Sequence, residues 1–250
     1  MRNISQFVLL VLVATGITIM SVANPEDNDA ISGNGKVVTR DRAIEPFHAL
    51  KVSGGIDAEL AQGSNISLQV ETDENIIDNI KTLVKDGVLN IYPEKNIKNA
   101  TAMKVRLVFN SMDAIEASGG CDISSKEKLN FSTLHTELSG GCDVKMDFRA
   151  DKLYCNHSGG CDAYFKGEAG DCQLDVSGGS DFKGSDFHVT NCSIVASGGS
   201  DVAVFVTGEL DVEASGASDV YYAGSPSKVT KRASGGADIR YGKLETGNRK

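Results

Sequence analysis

The chain has 250 residues, with six cysteines, no tryptophan and a formal net charge of −9 at pH 7. A chain of this length holds one large domain, or one domain with a cap. Its acidity excludes nucleic-acid binding, and attachment to anionic lipid through charge alone, as functions.

In chain order, residues 1–23 read as a secretory signal peptide. Arg2 supplies the positive start, Phe7 to Ile19 the apolar stretch, and Ser21-Val22-Ala23 a small-x-small site with cleavage before Asn24. The apolar stretch is about 13 residues, against roughly 20 for a bilayer span. No later run is long enough to span a membrane as a helix, so no integral segment is expected after cleavage. Residues 24–43 are rich in turn formers and are expected to be a flexible leader. Residues 44–114 are β-rich without a clear period and are expected to cap the repeats that begin at residue 115. Within them Asp73 to Ile80 predicts one or two helical turns with Asp73 as cap. Asp86-Gly87, between Lys81–Lys85 and Val88–Tyr92, predicts a two-residue hairpin.

Residues 115–242 carry the organising feature. Ser-Gly-Gly-x-Asp starts at Ser118, Ser139, Ser158, Ser177, Ser197, Ser215 (where Ala217 replaces the second glycine) and Ser234, with an outlying copy at Ser53. A period of 18 to 21 residues is that of a solenoid whose repeats bury their apolar faces only by stacking. Counting from each serine, offset +5 is Ile123, Val144, Ala163, Phe182, Val202, Val220 and Ile239. Offsets −5 and −3 are apolar or cysteine where −4 and −2 are polar (Leu153 and Cys155 against Tyr154 and Asn156). Such alternation predicts strands with odd offsets inward and even offsets outward. One coil per repeat makes a parallel β-helix, with Gly-Gly as the tight corner, and residues 243–250 form a polar tail.

Val52-Ser53-Gly54-Gly55-Ile56-Asp57, Asp73-Glu74-Asn75, Asp86-Gly87-Val88-Leu89 and the serial Ser-Gly-Gly repeats together resemble the family described as putative auto-transporter adhesin, head GIN domain. The resemblance runs from Phe47 through essentially the whole mature chain. It implies a right-handed parallel β-helix exported by Gram-negative bacteria, to the periplasm or the cell surface, with adhesion as its task.

Cys121, Cys142 and Cys161 fall at +3, Cys155 at −3, and Cys172 and Cys192 at −5. All six offsets are odd, so the register points to core thiols rather than three disulfides. Cys155 with His157 is the one pair that hints at a metal, and a pair alone makes no site. The aspartates at +4 (Asp122, Asp143, Asp162, Asp181, Asp201, Asp219 and Asp238) form an outward ladder. Like charges about 4.8 Å apart repel by about 0.9 kcal/mol per pair in water, so something must offset them. One reading has each carboxylate accept corner N–H or serine hydroxyl hydrogen bonds; the sharper one has the ladder bind cations or a cationic, sugar-rich or peptide partner. The histidines recur at no common offset; His135 is expected to be solvated and His157 to sit in the core or at its rim.

The resulting expectation is an exported, non-catalytic binding protein of the cell envelope with no cofactor. Its candidate partners are a glycan or protein ligand on the envelope or a host surface, and calcium. The alternatives are a polysaccharide-acting β-helix enzyme and a structural protein that self-associates as a homo-oligomer through the open edge of its last coil.

Overall fold

A strand that is apolar on one side must cover that side, and here each repeat covers its own with the next. The computed structural model describes residues 30–242 and is built of strands, with no helix among the described residues. The signal-peptide reading over 1–23 and the polar tail over 243–250 lie outside the described residues.

The repeats stack as a parallel β-helix in the predicted register. Ile123, Val144, Ala163, Phe182, Val202, Val220 and Ile239 are successive parallel partners. The first six are buried, and Ile239, in the last coil, is half-buried against the core. Before the corner, Leu153, Cys155, Cys172, Leu174, Cys192, Ile194, Leu210 and Val212 are buried, while Asn156, Gln173, Asp175, Asp211 and Glu213 are exposed. Mid-stack, the core is aromatic: Phe148 lies 5.0 Å from Phe165 and 4.9 Å from Phe187, and Phe165 lies 5.4 Å from Phe182, ring centre to ring centre. Each buried phenylalanine is worth about 1.5–3 kcal/mol relative to exposure.

The corners are of two kinds. At Gly119-Gly120, Gly140-Gly141 and Gly159-Gly160 both residues have positive φ, whereas from Ser177 onward only the first does (Gly178, Gly198, Gly216 and Gly235). In the later kind the second residue's N–H donates to the first glycine's carbonyl in the coil before it, as from Gly199 to Gly178 and from Ala217 to Gly198, both 2.7 Å. The two positions therefore carry different constraints. A Cβ on Gly198 would lie 2.7 Å from the Gly178 carbonyl oxygen, while one on Gly179 would meet nothing within 4 Å. Ala217 is tolerated because it stands at the permissive position of the later corner.

The copy at Ser53 belongs to the stack. Ala49–Ser53 pairs in register with Ala114–Ser118, and Ala58, Glu59 and Leu60 pair with Ile123, Ser124 and Ser125. On its other side Val88–Pro93 and Met103–Phe109 continue the two sheets in parallel. These are in turn flanked by antiparallel strands: Ile80–Lys85 against Val88–Pro93, and Ser67–Asp73 against Met103–Phe109. The section expected as a cap thus contains a further coil of the helix before it closes the end. The Asp86-Gly87 hairpin forms as predicted, with Lys85 opposite Val88 and φ of 52° and 77° at the turn.

Two expectations fail here. Of residues 24–43, expected as a flexible leader, 24–29 lie outside the described residues, while Val37–Arg42 is the outermost strand, antiparallel to Ser67–Asp73. Arg42 donates to the Ile77 carbonyl at 2.6 Å and Arg40 pairs with Asp78. The helical turns expected over Asp73 to Ile80 are a run of tight turns, with Ile76 N–H on the Asp73 carbonyl and Asn79 N–H on the Ile76 carbonyl. The Asp73 carboxylate accepts from Gly35 N–H and Thr101 N–H, each at 2.6 Å, and so ties separate segments together. Ile76 and Ile77 are both fully buried and anchor these turns in the core.

The two corner positions should separate on substitution. Gly198→Ala combines positive φ with a backbone clash and is expected to cost about 1–3 kcal/mol, whereas Gly179→Ala should leave the urea midpoint within about 0.5 kcal/mol of the parent. Equal losses in the two variants would refute the distinction.

Candidate ligand-binding faces and the polar interior

The aspartate ladder is continuous. Asp122, Asp143, Asp162, Asp181, Asp201, Asp219 and Asp238 are successive parallel partners, each exposed or half-buried on the outer surface. Beside it runs a second outward file at offset +6: Ser124, Lys145, Tyr164, Lys183, Ala203, Tyr221 and Arg240. This file supplies most of the compensation that the ladder requires. Lys183 Nζ lies 2.7 Å from Asp162 and 3.2 Å from Asp181, the Tyr164 and Tyr221 hydroxyls donate to Asp162 and Asp219, and Arg240 pairs with Asp238. Lys145 and Lys183 both sit over the Tyr164 ring, 5.1 and 4.6 Å from its centre.

Burial would lower Lys183, but its hydrogen bonds to Asp162, Tyr164 and Asp181 hold it above the ordinary lysine range. Where the +6 side chain makes no bond to the ladder the repulsion remains. Asp201, with Ala203 beside it, is pushed up by burial and by Asp181 and Asp219; Asp143 is pushed up by burial and by Asp122 and Asp162. The Asp181 carboxylate also accepts the Asp201 N–H at 3.3 Å, a contact between coils. Reading offset +6 down the repeats would have exposed the second file in the sequence.

A different outward face lies before the corner. At −4 the file runs Ala114, His135, Tyr154, Gln173 and Ser193, and at −2 it runs Glu116, Glu137, Asn156, Asp175 and Val195. His135 is exposed, as expected, and its ring stacks on Tyr154 at 4.6 Å and 9°. A shallow groove of about 330 Å³ runs along this face, lined by Ala114, Glu116, His135, Tyr154, Asn156 and Gln173 among others.

Inside, all six cysteines are buried free thiols. The +3 slot does more than accept a small side chain. Cys121, Cys142 and Cys161 each donate to the carbonyl of their own coil's serine at 3.2–3.3 Å. Cys142 and Cys161 also accept the N–H of Cys121 and Cys142, and Ser180 Oγ accepts that of Cys161. Ser200 and Ser218 donate to carbonyls of their own and the preceding coil. The slot therefore satisfies corner backbone groups that would otherwise be buried without partners. Burial pushes the Cys155 thiol up to about 12 and Cys172 well above its ordinary value, so neither is a nucleophile.

His157 is fully buried, with Nε2 sharing a 2.9 Å hydrogen bond with Thr136 Oγ1 and Nδ1 without a partner. Cys155 and His157 do not belong to a larger ligand set: among the described residues no group of three or more His, Cys, Asp or Glu is disposed to hold a metal ion.

Burial lowers His157 to about 4. The unfolded chain, with an imidazole near 6.5, therefore binds the proton first. The stability from a neutral His157 is complete above pH 6.5 and is lost as pH falls toward 4, by about 3 kcal/mol in all. His157→Leu should flatten the denaturation midpoint over that window relative to the parent; an unchanged slope would show that the imidazole does not control it.

The fold recurs in solved structures. The chain matches a putative adhesin from Bacteroides fragilis with a TM-score of 0.80 at 22% identity, covering 85% of this chain and 100% of that one. It matches a putative lipid binding protein from Parabacteroides distasonis (TM-score 0.69, 20% identity, 85% and 100% coverage) and a putative adhesin from Parabacteroides merdae (0.67, 21%, 86% and 100%). A comparison with curated proteins finds no match. Residues 46–226, from just before the Ser53 coil to just past the Ser215 corner, match one family model: the chain belongs to the family described as putative auto-transporter adhesin, head GIN domain.

Proposed function

We propose that this chain is an exported, non-catalytic, adhesin-like binding module of the bacterial envelope, taking a glycan or protein ligand on its outer faces. The observation that carries the reading is the constancy of the coils. Successive repeats differ in length by at most three residues and hold one register apart from bulges at Tyr164/Lys166 and Gly184/His188, so outward side chains form flat files, and among the described residues no long loop walls a cleft. Four depressions among the described residues are shallow grooves of about 300–390 Å³. A flat, rigid, repetitive surface suits recognition of an extended partner. It gives a general acid and base no enclosed site in which to work on a bound substrate. Membership of an adhesin family and the adhesin names of two solved neighbours support the same reading. On this proposal the aspartate ladder is one contact face, its charge already partly balanced by Lys183, Tyr164 and Arg240.

The test is binding of the mature chain to arrays of glycans and of extracellular-matrix and envelope proteins, with and without calcium. Saturable binding with no product formed from the bound glycans is the expected result. Silence across both arrays in both conditions, or product formation abolished by exchanging one ladder aspartate, would overturn the reading.

Self-association has one observation in its favour: among the described residues nothing pairs with the outer edges of Lys228–Ala233 and Asp238–Tyr241, and Val229 and Tyr241 are exposed there. Against it stands Lys231. It pairs with Val212 in a file that is otherwise buried, and its Nζ lies 4.5 Å over the Tyr222 ring, a charge set across the open end of the core. Inward-pointing lysine on an edge strand blocks strand addition. Light scattering should therefore show a monomer at high concentration, and Lys231→Ile should shift the mass toward dimers; concentration-dependent assembly of the parent chain would reverse this view.

A further inference from the structure

On the outer surface the ladder face and the open end engage many of their polar groups within the protein, whereas the face around Tyr154 does not. On the ladder face, lysine, tyrosine and arginine side chains bond to the aspartates. Near the open end, Glu209, Asp211 and Glu213 pair with Lys228 and Arg232. Around Tyr154 the pattern breaks. Asn156, Gln173 and Asp175 are exposed, and neither they nor the Tyr154 hydroxyl make a hydrogen bond or ion pair among the described residues.

These groups are ordered by the stack. Tyr154 and Gln173 are rung neighbours in one file, Asn156 and Asp175 in the next, with rungs about 4.8 Å apart. His135 is fixed against Tyr154 by ring stacking, and next to His135 stands Ala114, a methyl group that leaves a shelf beside the imidazole. The groove of about 330 Å³ runs over this array.

We propose that the face built from His135, Tyr154, Asn156, Gln173 and Asp175 binds an uncharged oligosaccharide laid along the stack axis. This rests on the binding-module reading above and names its site and ligand class. A pyranose offers a C–H face and a rim of hydroxyls that both donate and accept. The outer face of the His135 ring, bared above Ala114 and backed by Tyr154, matches the first. The two amides supply donors and acceptors, the phenol one of each and the carboxylate acceptors only, which matches the second. A pyranose unit is about as long as one rung, so successive sugars meet successive coils. Charge decides between glycan classes. From Ala114 to Val195 neither file contains lysine or arginine, Glu116 is already paired with Lys51 at 2.5 Å, and Glu137 and Asp175 remain. Uronate or sulfated chains are repelled and uncharged ones are admitted. An open groove of this size predicts weak single-site binding, with a dissociation constant of about 1 mM, made effective by many copies on one surface.

The experiment is a titration of the mature chain against arrays of uncharged hexose and N-acetylhexosamine oligomers and of uronate oligomers, read by saturation-transfer NMR. Three variants are compared, each checked by thermal melting: His135→Ala with Tyr154→Ala, Asn156→Ala with Gln173→Ala, and His188→Ala on a different face. The second variant changes only exposed side chains, so it keeps the test open if the first fails to fold. The expected result is uncharged-oligomer binding by the parent, weakened at least tenfold in the first two variants and unchanged in the third. Binding that survives both, or that favours uronate oligomers, overturns the assignment while the binding-module reading stands. So does silence toward glycans from a chain that binds the protein array. Silence toward both overturns the two together.

Discussion

The structure depends on how closely one corner can lie against the next. At the first glycine of each Ser-Gly-Gly the backbone of one coil rides on the backbone of its neighbour, and from Gly198 onward a methyl group would sit within about 3 Å of a carbonyl oxygen or amide nitrogen. That contact sets the register. Once the corners are stacked, every other position in the coil is carried into a vertical file. The interior then results from ordinary burial, and the exterior becomes a set of parallel stripes whose chemistry is written by one residue per coil.

The stripes were legible to different degrees. The +5 and +4 files could be read directly because each is nearly uniform in type, so the period and the side-chain parity agree. The +6 file escaped because it alternates: Lys145, Tyr164, Lys183, Ala203 and Tyr221 share no single property until Tyr164 is seen between two lysines. The hydrogen-bonding duty of the +3 slot was hidden for a related reason. Cysteine and serine look like a choice of small volume, and only the corner geometry shows that both donate to the carbonyl of their own coil's serine.

The N-terminal third was harder to read because its order in space is not its order in sequence. The Ser53 coil is succeeded in the chain by Ser67–Asp73, yet Met103–Phe109 lies between them in the sheet. No periodicity survives such threading. Local signals that depend only on adjacent residues, such as the Asp86-Gly87 turn, did survive it. Those that depend on distant partners did not. Asp73 has the look of a helix cap in the sequence, but its carboxylate is committed to Gly35 and Thr101, and Val37–Arg42 becomes a strand only because Ser67–Asp73 offers an edge.

That threading also bears on how the molecule is assembled. Coils from Ser118 onward touch partners about twenty residues away, so each can be laid down on the one before it as the chain lengthens. The Ser53 coil must instead wait for residues up to 125, since both of its neighbours come later. The N-terminal unit is therefore held incomplete until residues out to 125 are in place. Once closed, it leaves one edge, that of the Ser118 coil, on which the later coils stack.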